Sequence, residues 1–212
     1  MKNRRSLIIV SLILSFTCMR AQGFLKDAFV GAPFNVIPSL SESVRLDMID
    51  YFEHGMNRPS ISYFGDEVSI TELDSVKINV KLSLNTELDL YMMTSKNDTL
   101  LIAIHTYQIP VKESKVKVYD RTWNELAAID AGYIADWILP AWNKKELKDE
   151  INSAAEFITA YATFDPDTKI ISFKNTTEER LGREEFSKIQ DKLSTERNFI
   201  FNGKNFKELK IK

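Results

Sequence analysis

Between residues 76 and 104, apolar and polar side chains alternate in three successive runs. Val76, Ile78, Val80 and Leu82 alternate with Lys77, Asn79, Lys81 and Ser83, and a period of two marks a strand with one face toward water. Leu88, Leu90 and Met92, then Leu100, Ile102 and Ile104, carry the pattern on, with Leu84-Asn85-Thr86 and Ser95-Lys96-Asn97-Asp98 as short polar links. Links this short favour an antiparallel meander. Ahead of the strands, residues 41 to 56 follow the helical period instead. Val44, Met48, Ile49, Tyr51, Phe52 and Met56 fall on one arc, and Asp47, Asp50 and His54 fall opposite. Pro38 with Ser39 or Ser41 supplies the start signal, and Gly55 with Pro59 the stop. Arg45 interrupts the apolar arc, so it is expected either to snorkel outward or to meet a carboxylate or carbonyl.

The stretch HTYQIPVKESKVKVYDRTW, residues 105–123, continues the sheet. His105 and Tyr107 share the strand face opposite Ile102, Ile104 and Thr106, and Pro110 ends that strand. Residues 115–119 return as a second strand whose lysines suit an exposed edge or a wet face. Asp120-Arg121-Thr122 then forms a polar turn before Trp123. Residues 127–142 are the least regular, holding Gly132, Pro140, Trp137 and Trp142, and form the candidate junction. Asn143-Lys144-Lys145-Glu146 has capping-box spacing, so a helix of roughly ten residues is expected there. Residues 157–164 and 169–173 flank Asp165-Pro166-Asp167-Thr168 as a hairpin. Phe186, Ile189 and Leu193 predict one face of another helix. Phe199-Ile200-Phe201, Asn202-Gly203 and Phe206 predict a terminal hairpin, because Asn-Gly is a strong turn signal. Val118-Tyr119-Asp120, Trp123 and Leu126 echo Ile200-Phe201-Asn202-Gly203, Phe206 and Leu209. The fold class is therefore α+β: antiparallel β-meanders packed with helices. It is read as a single domain over 22–212, or as two related halves, 22–128 and 143–212, joined by 129–142.

The first 21 residues add a location. Lys2, Arg4 and Arg5 precede an apolar run from Leu7 to Phe16 and then the small Ala21, the layout of a signal peptide. Export to the periplasm or cell envelope is the expectation. Lipid attachment at Cys18 is disfavoured, because Ser15-Phe16-Thr17 lacks the residues usual before a lipidated cysteine. Cys18 is the one cysteine of the chain, so the mature protein would have neither disulfide nor thiol chemistry, and burial alone must stabilise it. Removing Lys2, Arg4, Arg5 and Arg20 takes the net charge from −2 to −6. A mildly acidic chain without a basic stripe argues against nucleic acid as a partner. No integral membrane segment is expected after signal cleavage.

The motifs of the central region carry a resemblance. Residues 45–51 (RLDMIDY), then 106–114 (TYQIPVKES) leading to Tyr119 and Trp123, and finally 202–206 (NGKNF), resemble a family of exported proteins of unknown function from Bacteroidota. The resemblance extends from about Lys26 to Phe206 and implies export and a shared fold, with no catalytic residue.

The chemistry-bearing residues point the same way. Asp47, Asp50 and His54 share a helix face with a geometry a metal could use, but Asp50 and His54 are also a plain i, i+4 pair on a solvated face. No metal or cofactor is expected. Glycine-rich phosphate loops, nucleophile elbows and His-Glu-x-x-His are absent from the sequence, and no catalytic residue is assigned. Trp123, Tyr133, Trp137 and Trp142 cluster around the junction; they fill a seam in the core or, if exposed, form a binding surface. With His105 and Tyr107 they are the candidate binding residues. The favoured reading is an exported, non-catalytic binding or interaction module whose partner is an envelope protein or glycan. Its rivals are an envelope hydrolase with a site assembled from distant residues and a structural subunit of an envelope complex.

Overall fold

The computed structural model describes residues 23–209 other than 57, 96–97, 109 and 143–144. The expected signal peptide and the Asn143-Lys144 helix start lie outside them. Residues 23–30 form helix α1, and α2 spans Glu42–Glu53. A meander follows: β1 (Ser60–Ile61), β2 (Glu67–Leu73), β3 (Lys77–Ser83), β4 (Thr86–Ser95), β5 (Asp98–Gln108), β6 (Lys112–Tyr119) and β7 (Glu125–Ile129). These seven strands pair antiparallel in sequence order. After α3 (Lys145–Ala154), strands β8 (Ala160–Asp165), β9 (Ile170–Asn175), β10 (Glu196–Phe201) and β11 (Phe206–Leu209) form a second antiparallel sheet in the same stepwise order. The protein is α+β, as its patterning predicts.

Alternation along each strand sorts side chains between two cores. Val68, Ile78, Val80, Leu88, Leu90 and Leu101 belong to a cluster with Leu25, Phe29, Met48 and Ile49 of α1 and α2. On the opposite face Tyr91, Ile102, Ile104, Val116 and Val118 pack with Phe164, Ile171, Phe173 and Phe199 of the second sheet. The second sheet covers only part of that face. Lys77, Asn79 and Lys81 of β3 stay half-exposed, whereas Leu100 to Ile104 of β5 are buried without a break. Two bonds tie the sheets together: Thr176 Oγ1 donates to the Lys112 carbonyl at 2.9 Å, and Lys169 Nζ to the Thr94 carbonyl at 2.7 Å.

Several expectations are refined by the structure. Ser41 is the cap of α2, its Oγ accepting the Val44 N–H. The buried stripe of α2 is Arg45, Met48 and Ile49, while Phe52 and Met56 are exposed and line a hollow with Glu67, Ser69 and Ile70 of β2. Arg45 does not snorkel, being 5% exposed, and among the described residues it has no ion-pair partner and its Nε and Nη1 no hydrogen-bond partner. Residues 115–119 are not an edge, because β7 pairs outside them. The expected helix through Phe186, Ile189 and Leu193 is instead α4 (Thr177–Leu181), α5 (Arg183–Ser187) and a 3-10 turn, Gln190–Lys192. Gly182, at φ +83°, breaks the run between α4 and α5. The terminal hairpin turns over four residues, with Asn202 Oδ1 accepting the N–H groups of Lys204 and Asn205. The echoed segment at 118–126 is also a hairpin, and there Asp120 Oδ1 accepts from Thr122 and Asn124.

Candidate functional site

The face of the large sheet that α1 and α2 cover changes character toward one end. Along β5 the side chains on this face run Leu101, Ala103, His105, Tyr107; along β6 they run Tyr119, Lys117, Lys115. Antiparallel pairing sets Leu101 opposite Tyr119, Ala103 opposite Lys117 and His105 opposite Lys115. Apolar positions lie under the helices, and polar ones emerge where the helical cover stops. There the sheet floors a half-open cleft of about 370 Å³.

Its walls come from two short segments. One is the turn at 35–39, in which the N–H groups of Val36 and Ile37 donate to the Pro33 carbonyl. The other is the loop from Ser62 to Asp66. Ser62 is buried, and its Oγ accepts the N–H of Phe64 at 3.2 Å and of Asp66 at 3.1 Å. Gly65, at φ +88°, lets the loop close on itself. The Tyr63 N–H donates to the Ser39 carbonyl at 2.9 Å and joins the two walls. So pinned, the loop holds Tyr63 and Phe64 outward, 65% and 72% exposed.

His105 is half-buried in the floor, and neither ring nitrogen has a hydrogen-bond partner among the described residues. Burial, and secondarily the charge of Lys117, pushes its pKa down to about 4, so the imidazole is neutral at physiological pH. Lys117 is anchored by Glu125 at 2.7 Å, a bond that raises the lysine's pKa. Lys115 is exposed and has no ion-pair partner among the described residues. Tyr107 stands at the rim, and Tyr119 lies beneath the floor. Trp123 backs Tyr119 edge-to-face, with ring centroids 5.2 Å apart.

The other sequence candidates are distributed differently. Trp137 is 1% exposed, and its indole N–H donates to the Ala131 carbonyl at 2.7 Å. Trp142 is partly buried against the same cluster, with the Lys192 ammonium 5.7 Å from its ring. Trp123 belongs to the cluster on the opposite face of the large sheet, so the three tryptophans do not form one surface. Tyr133 is 82% exposed. His54 Nδ1 donates to the Asp50 carbonyl at 2.9 Å and lies 3.1 Å from its carboxylate. The carbonyl, then the carboxylate charge, raises the His54 pKa. Among the described residues no group of three or more His, Cys, Asp or Glu could hold a metal, and no helix is long and apolar enough to cross a membrane. Sequence reasoning named His105 and Tyr107 and missed Phe64, Asp66, Lys115 and Lys117 as their neighbours. The parity of Lys115 and Lys117 with His105 across the 105–119 hairpin was the available signal.

Fold and site thus define a two-sheet antiparallel α+β protein with a cleft where helical cover gives way on the larger sheet. The chain belongs to the family described as "Protein of unknown function (DUF3256)", whose model matches residues 17–206. A solved structure of a domain of an uncharacterized protein from Porphyromonas gingivalis W83 has a similar fold. It superposes with a TM-score of 0.68 at 18% identity, over 88% of this chain and 98% of that one. No curated protein matches the chain.

Proposed function

We propose that this is an exported protein of the periplasm or cell envelope that works as a non-catalytic binding module, with a small ligand held in the cleft at His105. One observation carries the reading. Two of the large apolar side chains left exposed, Phe64 on the loop and Tyr107 on β5, line this cleft together with Val36, Leu82 and Tyr119. Exposed apolar groups gathered around one concavity mark a binding site rather than scattered surface. The volume suits a small molecule. A base with a pKa near 4 is poorly matched to proton abstraction at neutral pH, and this favours binding over hydrolysis. The signal-like N-terminus supports export.

Two measurements test this. N-terminal sequencing of the protein recovered from its host's envelope fraction should begin at residue 22; recovery of an uncleaved chain from the cytoplasm would refute export. A thermal-stability screen against cell-wall sugars, peptides and small organic acids should yield a ligand that raises the melting temperature of the native protein and not of Tyr107→Ala. Turnover of that compound, seen by mass spectrometry, would instead establish the hydrolase.

A further inference from the structure

We infer that the ligand of this cleft is an organic anion with an apolar body, its charge read by Lys115 and Lys117 and its body by Phe64 and Tyr107. This rests on the cleft being the binding site. The two lysines stand two residues apart on one face of β6, with both side chains contributing to the cleft. Lys117 is held in place by Glu125, a residue outside the lining, and Lys115 is left without an ion pair among the described residues. Both lysines also border a neighbouring hollow containing Asp130 and Asp136, yet neither is ion-paired to those carboxylates.

Within the cleft the opposing charge is Asp66, across from the lysines on the loop. Glu125 offsets the charge of Lys117, so the ammonium that no ion pair among the described residues holds is that of Lys115, with Lys117 beside it as a second hydrogen-bond donor. His105 adds no charge but offers a hydrogen bond for which no described residue competes. The rim is aromatic, with Phe64 and Tyr107 presenting ring surface beside that charge. The free Lys115 ammonium and the Lys117 donor under an aromatic rim are complementary to a carboxylate, sulfonate or phosphate borne on a ring or short hydrocarbon. A neutral sugar would leave the lysines unused, and a cation would meet them directly.

The test compares two fluorescent probes of one skeleton. 8-Anilinonaphthalene-1-sulfonate carries the anion, and N-phenyl-1-naphthylamine lacks it. Titrated into the purified protein, the sulfonate should bind at least tenfold more tightly. Lys115→Met, which breaks no ion pair, and Lys117→Met should each weaken the sulfonate several-fold and leave the neutral probe unchanged, whereas Tyr107→Ala should weaken both. Equal affinities for the two probes, both lost in Tyr107→Ala, would overturn the anion preference while keeping the cleft. Affinities that ignore Tyr107→Ala and Phe64→Ala would overturn the cleft itself as the binding site.

Discussion

Lowering the pH should destabilise this protein through His105, and the size of the effect follows from its environment. The imidazole has a pKa of about 4 in the folded chain and the ordinary 6.5 when unfolded. Because the folded value is the lower one, the unfolded chain binds the proton first. Stability is therefore intact above pH 6.5, falls as the pH drops toward 4, and levels off below that. Between pH 7 and pH 5 the loss is about 2 kcal/mol. His54 works in the opposite direction, since its pKa is raised, and many carboxylates begin to titrate near the lower limit. A comparison with His105→Gln removes these shared contributions. Urea unfolding of both proteins at pH 7, 6 and 5 should show a stability difference that changes by about 2 kcal/mol across the series. If the two curves run parallel within about 0.5 kcal/mol, the imidazole is not desolvated in the cleft and the argument fails. Direct titration of the His105 ring by NMR would show the same failure as a midpoint near 6.5.

Three further outcomes are expected. Arg45→Met should be neutral or stabilising by about 1–2 kcal/mol in urea unfolding, since a buried guanidinium with unpartnered nitrogens is replaced by an apolar chain of similar length; a loss above 1 kcal/mol would mean a partner had gone unrecognised. Trp137→Ala should cost about 3–5 kcal/mol while Tyr133→Ala stays within about 0.5 kcal/mol, and comparable losses would refute the assignment of one to the core and the other to the surface. Gly65→Ala, at φ +88°, should cost about 1–2 kcal/mol and weaken ligand capture as the Ser62–Asp66 loop deforms; unchanged capture and melting temperature would show that the loop does not need its left-handed residue.

The sheet was legible because its forces are local and periodic. Val76 to Leu82 could be read as a strand because one face meets a core and the other meets water, and the structure keeps Lys77, Asn79 and Lys81 half-exposed. Strands β2 and β7 were not legible. Glu67-Val68-Ser69-Ile70 is too brief an alternation, and Glu125 to Ile129 is an edge strand with little burial to impose a pattern. The Phe186, Ile189 and Leu193 spacing imitated a helix face because i, i+3 and i+7 apolar residues also arise where broken turns pack on a core. Arg45 could be placed in the apolar arc from its spacing, but whether a partner waited there depended on tertiary packing that no local pattern encodes. The cleft was half legible. His105 and Tyr107 stood out by residue type, but their company depended on register with Lys115 and Lys117 and on a loop from 40 residues earlier.

The alternation along β5 and β6 has a bearing on accuracy of assembly. Cleft-facing His105, Tyr107, Lys115 and Lys117 interleave with Ile104, Thr106, Val116 and Val118, which face the second sheet. Sliding either strand by one position would exchange the two sets and drive ammonium groups into the interior between the sheets, while Ile104 and Val116 turned toward water. The residues of the cleft therefore act as a mispairing penalty during folding. A variant stripped of its lysines and histidine would lose that proofreading along with any ligand.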